Sequence, residues 1–316
     1  MLGIWCAIAA CAAAQTPPPE SEPTRDEFQP EHDSGHSLSL RLSGGYSPSA
    51  GISGGGDVSR GLVGAEAEFS TFISDNLTLN LGVSSTRAIY DFSGSNKLPG
   101  NGKPWGDVTY LNLSAGLSAE LSNTWTVFGA FHALSAGEDS ADFSETWTLG
   151  GVGGFTYKFS ETLTVGLALA AQQRLEDDPF VVPFPMIDWV LPFDESGRWR
   201  LSVGGGSRAG IAATGAGISF APTDQWTLSL GIGGIGLGGE FRLDENGPVP
   251  GGVARDNFAT LSFGVDYSPT PTFTASAFAG VAFDGELEIL DRNGKRVSRR
   301  DVETAPIFGL AISFAF

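Results

Sequence analysis

The residues Pro306–Phe316 alternate without a break. Pro306, Phe308, Leu310, Ile312, Phe314 and Phe316 fall on one face of a strand, and Gly309, Ala311, Ser313 and Ala315 fall on the other. A strand this apolar on one face must cover that face with a protein core or with lipid. The same alternation runs through most of the chain, and the face opposite the apolar one is made almost wholly of small and polar residues, which favours lipid. Mean hydropathy is near zero, and no run of eighteen apolar residues occurs. A spanning helix is therefore excluded, whereas strands with one apolar face give such an average.

The alternation begins at about Ser37, with Leu38, Leu40, Leu42 and Tyr46 on one face. Val63, Ala65, Ala67 and Phe69 then oppose Gly64, Glu66, Glu68 and Ser70. Leu77, Leu79, Leu81 and Val83 oppose Thr78, Asn80, Gly82 and Ser84, and Leu111, Leu113 and Leu117 oppose Asn112, Ser114 and Ser118. Segments starting near Trp125, Phe143, Leu163, Trp199, Thr214, Trp226, Ala259 and Phe273 repeat the period of two.

Short links, such as Ser74-Asp75-Asn76 and Ser122-Asn123-Thr124, alternate with mostly longer ones rich in glycine and charge, at 47–61, 91–107, 135–142, 173–180, 239–257 and 284–304. The short turns lead into a bulky apolar residue and then threonine at Leu77-Thr78, Trp125-Thr126, Leu163-Thr164, Trp226-Thr227 and Phe273-Thr274, where an interfacial girdle would lie. The segments number about fourteen. The stretch 181–193 fits badly because of Pro183, Pro185 and Pro192, and twelve is the alternative.

On its closing Phe316 and on the alternation over residues 37–316, the chain resembles bacterial outer-membrane β-barrel proteins. The Trp199 strand after the proline-rich segment, Gly239-Glu240-Phe241-Arg242-Leu243, and the run from Gly285 to Gly294 resemble an uncharacterised porin-like family of such barrels, of unknown function. The resemblance implies an all-β, transmembrane, up-and-down antiparallel β-barrel in the outer membrane. It implies contact with outer-membrane lipid and lipopolysaccharide, and an assembly signal in Phe308, Leu310, Ile312, Phe314 and Phe316 that the barrel-assembly machinery reads. It carries no activity.

Residues 1–14 read as a signal peptide, with Ala12-Ala13-Ala14 before the cleavage site; a lipoprotein reading at Cys11 is the alternative, and the segment lengths favour Ala14. Cys6 and Cys11 are the only cysteines, so a processed chain would hold none. Residues 15–36, rich in Pro, Glu, Asp and Ser, read as a disordered periplasmic arm in which His32 and His36 would be solvated.

A net charge of −18 argues against nucleic acid as a partner. No cofactor or metal is expected. The glycines of 51–56 and 204–206 precede no helix and no phosphate-binding lysine, and Asp244, Glu245 and Asp256 do not complete a calcium loop. On inward faces the alternation leaves Glu66, Glu68, Glu120, His132 and Lys158, the candidates for lining a lumen. The carboxylates would pair with Lys158, Arg200 or Arg87, or stand in water. His132 lacks a neighbouring nucleophile motif, so an enzyme reading ranks last.

Small inward residues cannot fill a barrel of about fourteen strands, so the lumen should be open or plugged by a loop. The expected function is a passive channel or transporter for small solutes. The alternative is a non-conducting barrel that binds a partner through its outer loops. In the most charged outer loop, Arg292, Lys295, Arg296, Arg299 and Arg300 among acids suggest contact with lipopolysaccharide phosphates or a solvated hairpin.

Overall fold

A computed structural model describes residues 35–95, 97–193, 197–204, 207–208, 211–212, 215–233 and 239–316. The leader, and the arm up to residue 34, lie outside the described residues; His36, expected in that arm, instead opens the first strand, where its Nδ1 meets Thr71 Oγ1 at 2.6 Å and its ring stacks on Phe69. The strands are β1 (His36–Gly51), β2 (Asp57–Ser74), β3 (Leu77–Ser93), β4 (Val108–Glu120), β5 (Trp125–Glu138), β6 (Trp147–Lys158), β7 (Leu163–Arg174), β8 (Asp177–Val190) and β9 (Trp199–Val203). They continue as β10 (Ser207–Arg208), β11 (Ile211–Ala212), β12 (Gly215–Thr223), β13 (Trp226–Gly233), β14 (Glu240–Arg242), β15 (Val253–Thr270), β16 (Phe273–Leu290), β17 (Arg296–Val302) and β18 (Ala305–Ala315).

Fourteen of these, all but β10, β11, β14 and β17, pair antiparallel in chain order. The ring closes where β1 meets β18, from Ser39 opposite Ala315 to Tyr46 opposite Phe308. The fold is thus the expected transmembrane antiparallel barrel, with fourteen strands rather than twelve. The proline-rich stretch is β8, in unbroken register with β7 from Phe180 to Trp189. On its other side β9 reaches only Ile187–Val190. Pro183 and Pro185 therefore sit where, among the described residues, the strand is paired on one side only, the setting in which a missing N–H is tolerated.

The apolar face of the alternation points outward, as read from sequence. Leu42, Val63, Leu113, Phe131, Leu169, Phe263 and Leu310 are exposed on the wall, while Asn80, Asn112, Thr148 and Gln172 on the opposite parity are buried. Beside the short turns, Trp125 packs on Tyr157, Trp199 on Phe220, Trp226 on Tyr267 and Phe273 on Phe314, with ring centroids 4.6 to 5.3 Å apart. These pairs form the interfacial girdle.

The outer half departs from expectation. Much of what reads as long loops is strand, because β1, β2, β3, β15 and β16 run for 16 to 18 residues, well past the roughly 9–11 needed to cross a bilayer. Irregularities in two of them mark the change. The pairing of β15 with β16 steps from Asn257 opposite Glu286 to Ala259 opposite Phe283, so β16 holds one extra residue there, around Asp284, whose φ is +54°. The pairing of β1 with β2 steps from Ser47 opposite Arg60 to Ala50 opposite Val58, which puts one extra residue in β1. Each bulge reverses the inside–outside parity. Beyond them Ile52, Leu287 and Ile289, which an unbroken alternation would place differently, turn inward and are buried.

Above the bulges the wall closes on itself along a shorter path. β14 pairs with β15 and, through Arg242 opposite Gly137, touches β5 in parallel. β17 pairs with β16 and is bridged to β1 at Ile52 and Val302. A narrower ring of β14, β15, β16, β17, β1, β2, β3, β4 and β5 thus stands on part of the fourteen-stranded barrel. The two single-bridge contacts are its thinnest seams.

Candidate functional site

The site is the lumen and the core that seals its outer end. That core fills the narrow ring with Val58, Tyr90, Phe92, Val108, Tyr110, Phe241, Leu243, Leu287 and Ile289, all buried. Trp105, from the 94–107 connection, sits at its centre, with its ring centroid 5.6 Å from Tyr90, 5.0 Å from Phe92 and 5.4 Å from Phe241. Burying such rings supplies the main cohesion. One polar atom inside the core, Trp105 Nε1, has no hydrogen-bond partner, which costs about 1–3 kcal/mol.

Charged groups bind the loops over this core. Glu138, at the end of β5, accepts from the Gly106 N–H through one oxygen and from the Asp244 N–H through the other, each at 2.7 Å. It thereby joins the 94–107 connection to the segment that follows β14. Arg255 donates to Glu240 at 2.9 Å, to Glu288 at 3.0 Å and to Asp177 at 2.9 Å, and Arg242 donates to Glu176 at 2.8 Å. These bonds fasten the tip of the β7–β8 hairpin across the outside of the ring. Asp244 lies in an exposed loop, where the Asn246 N–H and the Ser140 hydroxyl hold its carboxyl below the usual range.

Below the core the inner wall is mixed. Glu66 and Glu68 sit side by side on β2, with Arg41 of β1 directly opposite Glu66. His132 is fully buried; its Nε2 meets Gln172 Oε1 at 2.5 Å, and Gln172 Nε2 donates to Thr148 at 3.0 Å. Arg200 pairs with Asp188 at 2.5 Å. Glu120 and Lys158 end their strands at the rim beside the short turns, exposed, and their backbone N–H groups bond to Asn76 and Thr124.

The five lumen candidates are therefore not one constriction: Glu66 and Glu68 adjoin, His132 stands apart in an amide cluster, and Glu120 and Lys158 guard the rim. The cation nearest the two glutamates across the sheet is Arg41, which forms no ion pair with them, and Lys158, Arg200 and Arg87 pair with neither glutamate among the described residues. Arg87 lies on the outward parity and pairs with Asp107 and Asp139. The inner wall is also less uniformly small than the alternation suggests. Phe128, Val152, Phe184 and Met186 form an inward apolar patch on β5, β6 and β8. Phe128, Phe184 and Met186 are legible in retrospect from their parity. The sealing core is legible in β2, β3 and β4, where Val58, then Ala88, Tyr90 and Phe92, then Val108 and Tyr110 continue the inward faces of Gly64, Thr86 and Asn112; it is not legible in β16 beyond its bulge or in the connections that carry Trp105, Phe241 and Leu243.

No protein-family model and no curated protein sequence matches the chain. Solved structures similar to it are bacterial outer-membrane channels. The COG4313 outer membrane channel from Pseudomonas putida F1 superposes with a TM-score of 0.49 at 14% identity, covering 94% of this chain and all (100%) of that one. The P. putida toluene transporter TodX gives 0.47 at 9% identity, covering 91% and 90%. The KdgM porin gives 0.36 at 8%, covering 88% and 99%. At these identities the likeness is one of barrel architecture.

Proposed function

We propose that the chain is a bacterial outer-membrane channel or transporter for small solutes that rests with its outer mouth sealed. The observation that carries this is the two-sided wall: a closed lipid-facing ring encloses a partly polar interior, which ends beneath a packed aromatic core. Glu66 and Glu68 would give the interior a weak preference for cations. The final strand, with Phe308, Leu310, Ile312, Phe314 and Phe316, would present the assembly signal during insertion.

The sealed mouth also favours a second reading, a non-conducting barrel that works through its outer surface. An enzyme reading gains nothing, since the partner of His132 is an amide. The two main readings separate in a planar bilayer. The refolded chain should conduct rarely, and Trp105→Ala or Phe241→Ala should raise open probability several-fold, because each deletes about 3–5 kcal/mol of core packing. Silence from both folded variants would end the channel reading in favour of the surface one. Steady conductance of the unaltered chain, unchanged in the variants, would end the sealed-mouth reading.

A further inference from the structure

Outside the sealing core, a cleft of about 420 Å³ lies between the 97–99 stretch and β17, flanked by Lys97, Arg296, Arg299 and Arg300. Its apolar lining comes from Leu98, Pro99 and Val297. In this acidic chain most arginines bear a carboxylate, and here Arg296 pairs with Glu288 at 2.6 Å and Arg299 pairs with Glu286. Lys97 and Arg300 have no carboxylate partner among the described residues. Arg300 Nη1 donates to the Arg299 carbonyl at 3.0 Å, while its Nε is buried with no partner, as is the Ser298 hydroxyl beside it.

Both free cations converge on the β1–β2 turn. A Cβ built at Gly54 would lie 3.7 Å from Lys97 Cδ and 3.8 Å from Arg300 Nε, and Gly54 itself has a φ of +95°. The two chain segments that carry these charges are about two hundred residues apart in sequence. β17 adds an open edge: opposite β16, its outer half has no strand partner among the described residues, which leaves backbone donors facing outward.

We infer that this cleft binds the phosphate of a phosphorylated sugar, carried either on a lipid headgroup of the outer leaflet or on a free sugar phosphate. Unneutralised guanidinium and ammonium groups recognise phosphate strongly, guanidinium through paired hydrogen bonds. The cleft is within the range of small-molecule pockets, larger than an inorganic ion requires, and Pro99 and Val297 offer a surface for a sugar ring. Its position outside the cell rests on the orientation proposed above; the binding itself does not.

The test is calorimetric titration of the refolded full chain, in detergent, with bisphosphorylated lipid A, with the same lipid dephosphorylated, and with glucose 1-phosphate. At least one phosphorylated probe should bind, and the joint variant Lys97→Gln, Arg300→Gln should weaken it tenfold or more. Lys97→Arg should bind like the unaltered chain, and so should Arg292→Gln, whose side chain is paired with Glu145 and Glu245 elsewhere. Much tighter binding of lipid A than of glucose 1-phosphate assigns the lipid source, and comparable binding assigns the free one. The proposal is overturned if neither phosphorylated probe binds, if the dephosphorylated lipid binds as well as lipid A, or if the joint variant, still heat-modifiable on gels, binds unchanged. None of these outcomes depends on conductance.

Discussion

Arg60 of β2 and Asp256 of β15 meet inside the barrel through a two-pronged ion pair, Nε to Oδ2 at 2.7 Å and Nη2 to Oδ1 at 2.9 Å. Their side chains are 4% and 0% exposed, and the guanidinium carbon lies 5.4 Å from the centroid of the Phe258 ring. The pair ties together strands that are not neighbours in the sheet, alongside the sealing core. Removing one partner of a buried pair leaves the other charge stranded, at about 3–5 kcal/mol. Asp256→Ala should therefore lower the melting temperature markedly and raise open probability, and Arg60→Met combined with Asp256→Leu should recover most of the lost stability. A melting temperature unmoved by Asp256→Ala would remove the crossbar role.

Acidification should loosen the outer loops before the wall. Asp244 is held low by the Asn246 N–H and the Ser140 hydroxyl, and Asp142 by the hydroxyl and N–H of Ser144. Both folded values lie below the unfolded one, so the stabilisation is complete above the ordinary carboxylate pKa of about 3.9 and is lost as pH falls through the folded values. Protection against hydrogen exchange over 139–146 and 239–252, taken relative to the intrinsic rate at each pH, should fall as the pH drops below about 4. Asp244→Asn should flatten the response in the second segment. Protection there that is independent of pH would count against these anchors.

Accessibility should be one-sided. Ser114 faces the lumen on β4, while neighbouring Leu113 faces lipid and is 44% exposed on the outer wall. A cysteine at Ser114 should react with a membrane-impermeant maleimide added from the periplasmic side and be protected from reagent added outside. One at Leu113 should be protected from both. Equal reaction of the Ser114 variant from either side would show an open mouth.

Period-two alternation made the membrane barrel readable, because one face meets lipid along the whole span. Leu113, Leu117, Phe308 and Leu310 lie outward as their parity requires. The narrow ring was not readable for the same reason. A single extra residue near Asp284 turns Leu287 and Ile289 from the lipid side to the interior, and a parity argument holds only as far as the next bulge. Trp105 and Phe241 lie in glycine-rich connections whose composition speaks of turns, and their meeting depends on long-range pairing that no local pattern encodes. Glu66 and Glu68 were visible by spacing, whereas their neighbour Arg41 depends on strand register. Lys97 was silent until the fold placed it against Arg300.

The ring around the seal is built mostly from strands that also form the wall, β1 to β5, β15 and β16, so it has no hinge on which to swing aside. Passage would require the ring to fray from its single-bridge seams, at Arg242 with Gly137 and at Ile52 with Val302, much as a knitted edge unravels from its last stitch. Cooperative loss of several hydrogen bonds is a slow event, and current records from such a pore would show long silences broken by sustained openings rather than rapid flicker.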